Sequence, residues 1–284
     1  MLLFQSQATA DNKTKAGANQ AVAVNARKAE ECIKKADGLL WTDFKAALRE
    51  YKNAVSYDPS RGADVGRKMM DAYIEHSGKC VFFKYTIGDL KNAANLASKY
   101  APGKVKKIQE MLVNSYTDHA YRNSDDRIAD LAEAVKYPPG KTTENYNWLV
   151  DAYIGSSTYR ANFWDAASDL EDASKFAAAH LPGRVKEING KLIDLYLKHA
   201  DDKIETFERI VSDLGNAAKI AEKYVPERKA EIRNRTADSY EKHGDECITL
   251  KYKIASFEQA AKYDPERKEK IDRKIDLAKF EEKP

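Results

Sequence analysis

The sequence has few cysteines, few prolines and glycines, and no long apolar run. Its 284 residues include 3 Cys, 13 Gly and 8 Pro. The cysteines, Cys32, Cys80 and Cys247, lie far apart, which argues against a disulfide scaffold and fits the reduced thiols of a cytoplasmic protein. No apolar run approaches the length needed to cross a bilayer, so the sequence predicts no transmembrane segment.

The sequence also lacks a large excess of charge of one sign, and it lacks the common enzyme motifs. The 48 Lys and Arg residues nearly balance the 45 Asp and Glu residues, leaving a formal charge of +3, so neither a basic nucleic-acid coat nor an acidic tail is indicated. The chain contains no phosphate-binding Gly-rich loop, no HExxH motif, no nucleophile elbow and no CxxC pair. We therefore expect no catalytic residues, no cofactor and no enzymatic activity.

Prolines reveal an internal repeat with a period of about 40 residues. Each of six prolines ends an apolar run and follows an aromatic or imidazole side chain: Pro59, Pro102, Pro139, Pro182, Pro226 and Pro265. Fourteen residues after each of the first five lies a tyrosine: Tyr73, Tyr116, Tyr153, Tyr196 and Tyr240. Such regularity predicts a repeat architecture.

Each repeat has the pattern of two amphipathic helices. Between Pro182 and Tyr196, apolar residues such as Ile188 and Leu192 recur at helical spacing. After a polar break, small residues such as Ala217 and Ala221 allow a second helix to approach closely, until the next proline ends it. Breaks are predicted at 76–78, 119–126, 155–157, 201–202 and 244–245. Strand patterns are absent from the sequence.

The predicted fold is all-α, with one elongated domain of helical hairpins. Six hairpins are expected at 20–59, 60–102, 103–139, 140–182, 183–226 and 227–265. Residues 1–19 read as a flexible leader, and 266–284 as a charged capping helix that covers the last hairpin.

Several stretches resemble the tetratricopeptide repeat. The motifs are Phe44-x-x-Ala47-Leu48-x-x-Tyr51-x-x-Ala54-x-x-x-x-Pro59, Leu149-Val150-x-x-Tyr153 and Tyr240-x-x-x-Gly244-Asp245. The period here exceeds the 34 residues of that family, so this is a divergent, extended version. The resemblance implies a right-handed superhelix, an α-solenoid whose first helices line a concave groove, and an adaptor function in which the groove holds a peptide or helix.

Two residues before each repeated tyrosine stands an acidic or amide residue. This acidic column comprises Asp71, Asn114, Asp151, Asp194 and Asp238, with Glu144, Glu187 and Glu231 expected on the same side. Its position on the predicted helices places it away from the core, and the resemblance implies that it faces the groove. Such a row favours a basic partner segment. Alternatively, it is a solvated face with local ion pairs, for example between Arg67 and Asp71.

Two residues after each proline the chain is always basic. This basic column comprises Arg61, Lys104, Lys141, Arg184, Arg228 and Arg267. A cation at a helix N-terminus gains nothing from the helix dipole, so the column needs another reason. It forms either a rim that binds phosphates or an acidic partner, or a set of bridges to carboxylates at neighbouring helix ends. Without exposed aromatics between the cations, nucleic acid is the less favoured ligand.

Histidines recur three residues after the tyrosines, at His76, His119, His199 and His243. We interpret them as helix-end residues that bond the last carbonyls, because ligands in neighbouring repeats lie too far apart for one metal ion. Two pairs have a spacing that suits two ligands of one metal ion, but no further ligands lie nearby in sequence. These pairs are His76 with Cys80 and His243 with Cys247. No metal site is therefore predicted. The tyrosines, with Trp41, Trp148 and Trp164, are predicted to pack between helices.

The sequence favours a non-catalytic scaffold that binds another protein or a peptide. Two alternatives stay open. One is self-assembly into a homo-oligomer, and the other is binding of RNA or an anionic surface along the basic column.

Overall fold

The computed structural model describes residues 2–123, 125–202 and 205–281, with side chains from residue 20 onward. Over these residues it consists of thirteen α-helices and contains no β-strand. The helices are α1 (Leu2–Leu39), α2 (Phe44–Tyr57), α3 (Gly62–Ser77), α4 (Phe83–Tyr100), α5 (Val105–Arg122), α6 (Arg127–Ala134), α7 (Thr143–Tyr159), α8 (Phe163–His180), α9 (Val185–Ala200), α10 (Phe207–Tyr224), α11 (Lys229–Glu246), α12 (Leu250–Tyr263) and α13 (Lys268–Glu281).

The chain forms two compact units, Met1–Lys141 and Thr142–Pro284. In the first unit, α1 packs on α2, α3 on α4 and α5 on α6, and each hairpin also contacts the next. The second unit repeats this order with α7 to α12, and α13 packs on α12. The predicted all-α repeat of six hairpins and a final helix is confirmed. Residues 282–284 of the predicted capping helix lie outside the described residues.

The hydrophobic core follows the two predicted helix patterns. On α9, Ile188, Leu192 and Ile193 are buried together with Tyr196. On the second helices the small residues are fully buried, as at Ala217 and Ala221. Because alanine adds only a methyl group to the helix surface, the two helices of a hairpin can approach closely along this line.

A short 3-10 turn begins at a proline between successive hairpins. The residue before this turn has an extended or other non-helical backbone, and the turn leads directly into the next helix. In most of these turns the backbone N–H of the basic-column residue closes the turn, as when Arg228 donates to the carbonyl of Val225 at 3.0 Å. Proline fits the first position because it has no N–H to satisfy there.

Two predicted breaks between first and second helices are wrong. Helix α7 continues through 155–157 to Tyr159, and α11 continues through Gly244 to Glu246. Near the end of α7, the hydroxyl of Ser157 donates to the carbonyl of Ile154 at 2.7 Å, so this polar residue is accommodated within the helix. At Gly244 the missing side chain makes room for the ring of Phe257 on α12.

Helix α1 includes the backbone of residues 2–19, for which the sequence predicts a flexible leader. The side chains of that segment lie outside the described residues, and its flexibility stays a prediction. None of the helices described here combines the length and the apolar character that a membrane-spanning segment requires.

Candidate functional site

The acidic and basic columns meet each other across successive hairpins. Arg184 on the turn before α9 donates to Asp151 of α7 at 2.7 Å, and Arg228 before α11 donates to Asp194 of α9 at 2.5 Å. Lys104 binds Asp71 in the same way at 2.7 Å, and Arg267 binds Asp238. Each of these four basic residues therefore pairs with the acidic-column residue of the preceding hairpin.

Two arginines of the basic column in the second unit also bind a carboxylate on the helix that they precede. Arg228 contacts Glu231 at 2.9 Å, and Arg184 contacts Glu187 at 3.3 Å, both three residues ahead. The hydrogen bond from Arg228 lowers the pKa of Glu231 more than partial burial raises it. A guanidinium has enough donors to hold two carboxylates at once, so one side chain ties a helix start to the preceding hairpin.

This pairing changes the interpretation of both the acidic and the basic column. All five residues of the acidic column are exposed, as predicted. Four of them form an ion pair with a basic side chain: Asp71, Asp151, Asp194 and Asp238. At the first hairpin Arg61 pairs with Glu30 instead. Asn114 is uncharged, and both it and Lys141 are exposed. Most of the basic column is thus held by carboxylates and does not form a row of unpaired cations. Arg67 pairs with Asp64, not with Asp71.

An open groove of about 570 Å³ lies between the first helices α7 and α9 of the second unit. Its apolar lining includes Ile154, Phe163 and Leu195, and its polar lining includes Lys198 and Asp194. Asp194 of the predicted acidic column therefore borders a groove between neighbouring first helices.

A second groove, of about 450 Å³, lies between α9 and α11 and is richer in acidic residues. Five carboxylates line it, with Lys242 and His243 as the basic groups: Asp201, Asp202, Glu205, Asp238 and Glu246. Asp202 lines both grooves, so the two are adjacent. Together they present an apolar floor beside charged residues of both signs. Four of the five carboxylates in the second groove contact a basic side chain: Asp201, Glu205, Asp238 and Glu246.

The recurring histidines join helices through their side chains. His76, His119 and His199 each direct Nδ1 to a carboxylate of the second helix: Asp89 at 2.5 Å, Asp130 at 2.5 Å and Asp213 at 2.6 Å. In the sixth hairpin His243 meets the hydroxyl of Ser256 at 2.8 Å. The predicted place in the last helical turn is confirmed, but the predicted role is wrong, since these Nδ1 atoms meet side chains of the second helix and not the last carbonyls.

Each of these histidines also stacks on a phenylalanine of the preceding hairpin. His199 lies parallel to Phe163 with ring centroids 3.8 Å apart, and His243 stacks on Phe207 at 3.7 Å. The repeated tyrosine of the same first helix meets that phenylalanine edge-on, as Tyr196 meets Phe163 at 5.4 Å. The same arrangement holds for Phe44 with His76 and for Phe83 with His119. The tyrosines thus pack between helices, as predicted.

The tryptophans are only partly packed, although they were predicted to lie between helices, and only Trp164 among them meets a ring of a neighbouring helix, that of His199 at 6.3 Å, among the described residues. Trp41 is 50% exposed, Trp148 is 45% exposed and Trp164 is 58% exposed. Trp41 and Trp164 lie at or next to the turns inside hairpins, and the Nζ of Lys79 lies 3.3 Å from a Trp41 ring centroid. A helix end offers only one packed face, so a large ring there remains half in solvent.

The carboxylates of the second helices were missed by the sequence interpretation. A phenylalanine begins four of these helices, and six residues later stands Glu50, Asp89, Asp169 or Asp213. Each is bonded to a basic group from the first helix or turn of its own hairpin, as Glu50 is to Lys35 and Asp169 to Arg160. The recurring Phe and acid at a fixed interval are the signal that could have revealed them.

Comparison with known proteins gives no family assignment: no family model matches the chain, and no curated protein matches it. The arrangement described here is therefore the basis for the proposals that follow.

Proposed function

We propose that this protein is a non-catalytic scaffold that holds a segment of another protein on the first-helix face of its second unit. The observation that carries the proposal is the pair of adjacent grooves between α7, α9 and α11. An apolar floor suits a hydrophobic anchor side chain, which supplies most of the binding energy in such contacts. At the neighbouring groove the carboxylates of Asp201 and Glu246 are held only in exposed ion pairs, which are weak, so basic residues beside that anchor can compete for them.

The proposal includes a divergent tetratricopeptide-like identity and a cytoplasmic location. The stacked hairpins with proline-led turns support the former, and three free thiols support the latter. Binding of RNA or an anionic surface receives less support, because five members of the basic column already hold carboxylates. Self-assembly stays a prediction.

A capture experiment with matched variants tests the grooves. The chain is immobilised, its partner is isolated from the source cells, and affinity is then measured by titration. Ala161→Glu places a charge in the first groove, and Glu246→Lys reverses a charge in the second. Both residues are exposed, so the fold is expected to survive, with unchanged helical circular dichroism.

The controls make the same changes outside the grooves. Ala178→Glu introduces the same charge at an exposed position of α8. Glu222→Lys reverses the same kind of charge on α10, where Glu222 contacts a lysine at 3.8 Å, as Glu246 does in the groove. We expect the groove variants to bind at least about tenfold more weakly, a loss of about 1.4 kcal/mol. Equal losses in the controls, or undiminished binding by the groove variants, would reject the assignment.

A further inference from the structure

Three potential metal ligands converge in the second hairpin of the first unit. His76 comes from the last turn of α3, Cys80 from the turn that follows, and Asp89 from α4. The Sγ of Cys80 lies 3.5 Å from the Nδ1 of His76 and 3.5 Å from the Oδ2 of Asp89. Among the described residues, this is the one group of three such side chains whose ligand atoms all lie within 4.8 Å of one another.

The geometry points to a binding site for a transition-metal dication of the Zn²⁺ class, held by His76 Nδ1, Cys80 Sγ and one Asp89 oxygen. Around a tetrahedral zinc ion, neighbouring N, S and O ligands lie about 3.4–3.6 Å apart. Both sulfur distances already match this spacing. Only the 2.5 Å separation between His76 and Asp89 must open, by about 1 Å, for an ion to replace their hydrogen bond.

A histidine–carboxylate contact by itself does not indicate a metal. His119 with Asp130, and His199 with Asp213, make the same contact at 2.5 and 2.6 Å without a cysteine at the corresponding position. These pairs join the helices of a hairpin. The second hairpin differs because Cys80 supplies a third potential ligand. The metal site is inferred from the presence of this third ligand.

The sixth hairpin contains an incomplete version of the same group. Cys247 lies 3.6 Å from the ring nitrogens of His243, but the second helix supplies Ser256 where α4 supplies Asp89. A neutral serine hydroxyl is a much weaker ligand than a carboxylate, so this hairpin serves as a control within the same molecule.

A catalytic Cys–His–Asp triad does not explain the cluster. In a triad the nucleophile and the carboxylate bind different nitrogens of the imidazole. Here Cys80 and Asp89 both approach Nδ1 of His76.

The donor set selects the class of metal. Thiolate and imidazole favour Zn²⁺ or Co²⁺ over Mg²⁺ and Ca²⁺, which prefer oxygen ligands. On binding, the Cys80 thiol releases its proton to solvent, and a neutral His76 moves its proton from Nδ1 to Nε2. The His76 side chain is 32% exposed, so an ion can enter from solvent, and water can take the fourth position. The ring plane is fixed by stacking on Phe44.

Metal titration of the full chain in a non-chelating reductant tests the site. Zn²⁺ binding is followed by calorimetry, and Co²⁺ binding by the absorption band of thiolate-to-cobalt charge transfer. We expect one ion per chain and a charge-transfer band. Loss of an outer-shell partner alone weakens metal sites by about 10–100-fold, so removal of a direct ligand in Cys80→Ser or Asp89→Asn should cost at least about 100-fold.

The control variants keep the proposed ligands intact. Cys247→Ser removes the thiol of the incomplete group, and Asp130→Asn alters the contact that has no cysteine. Both should bind like the unmodified chain, and circular dichroism checks that all variants fold. Absence of binding with metal in excess would overturn the site. Full binding by Cys80→Ser, or loss of the cobalt band in Cys247→Ser, would do so as well.

Discussion

At the scale of single residues, the basic side chain that follows five of the six repeat prolines links two hairpins. Its backbone closes the turn in most cases, as at Arg228, while its side chain reaches the acidic residue of the preceding hairpin. Exposed ion pairs contribute only about 0–1 kcal/mol each. The main effect of these ion pairs is therefore to fix the register between hairpins, because a shifted hairpin would separate every pair at once.

A more deeply held carboxylate allows a test by pH. Burial disfavours the charged form of Glu241, but hydrogen bonds from Lys270 at 2.7 Å and Lys274 at 2.8 Å outweigh it, and the pKa of Glu241 falls to about 2. Because the folded pKa lies below the unfolded value of about 4.5, this group stabilises the fold fully above pH 4.5, and the contribution is lost as the pH falls toward 2.

We expect Glu241→Gln to lower the free energy of unfolding by about 2 kcal/mol at pH 7, measured by urea denaturation. The difference from the unmodified chain should shrink as the pH is lowered from 4.5 toward 2. The control, Glu269→Gln, alters a carboxylate that is 81% exposed and should change little. A difference that stays constant over this range would contradict the assigned pKa.

At the scale of helices, close approach within a hairpin depends on small residues. A Cβ atom at Gly244 of α11 would lie 2.6 Å from the buried ring of Phe257 on α12. Gly215 of α10 has nothing within 4 Å of the corresponding position. The two glycines are therefore structurally unlike, although both lie inside helices.

Replacing each glycine by alanine should have opposite effects. Gly244→Ala forces Phe257 to move and should lower the free energy of unfolding by about 1–3 kcal/mol. Gly215→Ala should raise it by about 0.5–1 kcal/mol, because alanine is the better helix former. Urea midpoints measure both. If Gly244→Ala were as stabilising as Gly215→Ala, the close contact between α11 and α12 would be wrong.

Helices were predictable from the sequence because their signals are local. The stripe that contains Ile188 and Leu192 lies within one helix, and a proline marks the boundary between successive hairpins. The exposure of Asp151 and Asp194 also followed from helical geometry. The pairing of these residues with Arg184 and Arg228 did not, since the partners lie 33 and 34 residues apart and the sequence does not give the register between hairpins.

At the scale of the whole molecule, each unit is a set of hairpins stacked in one register. The histidine of one hairpin stacks on a phenylalanine of the preceding one and is bonded to its own second helix, as His199 is to Phe163 and Asp213. The fourth hairpin has Ser156 in place of the histidine, and the helix before it begins with Arg127 in place of phenylalanine.

The register of stacking is the central claim, and nuclear Overhauser contacts between labelled Phe and His rings test it most directly. Ring centroids only 3.7–3.9 Å apart must give strong contacts. The account predicts them for four pairs: Phe44 with His76, Phe83 with His119, Phe163 with His199, and Phe207 with His243. Contacts from these histidines to phenylalanines of other hairpins, or to none, would contradict it.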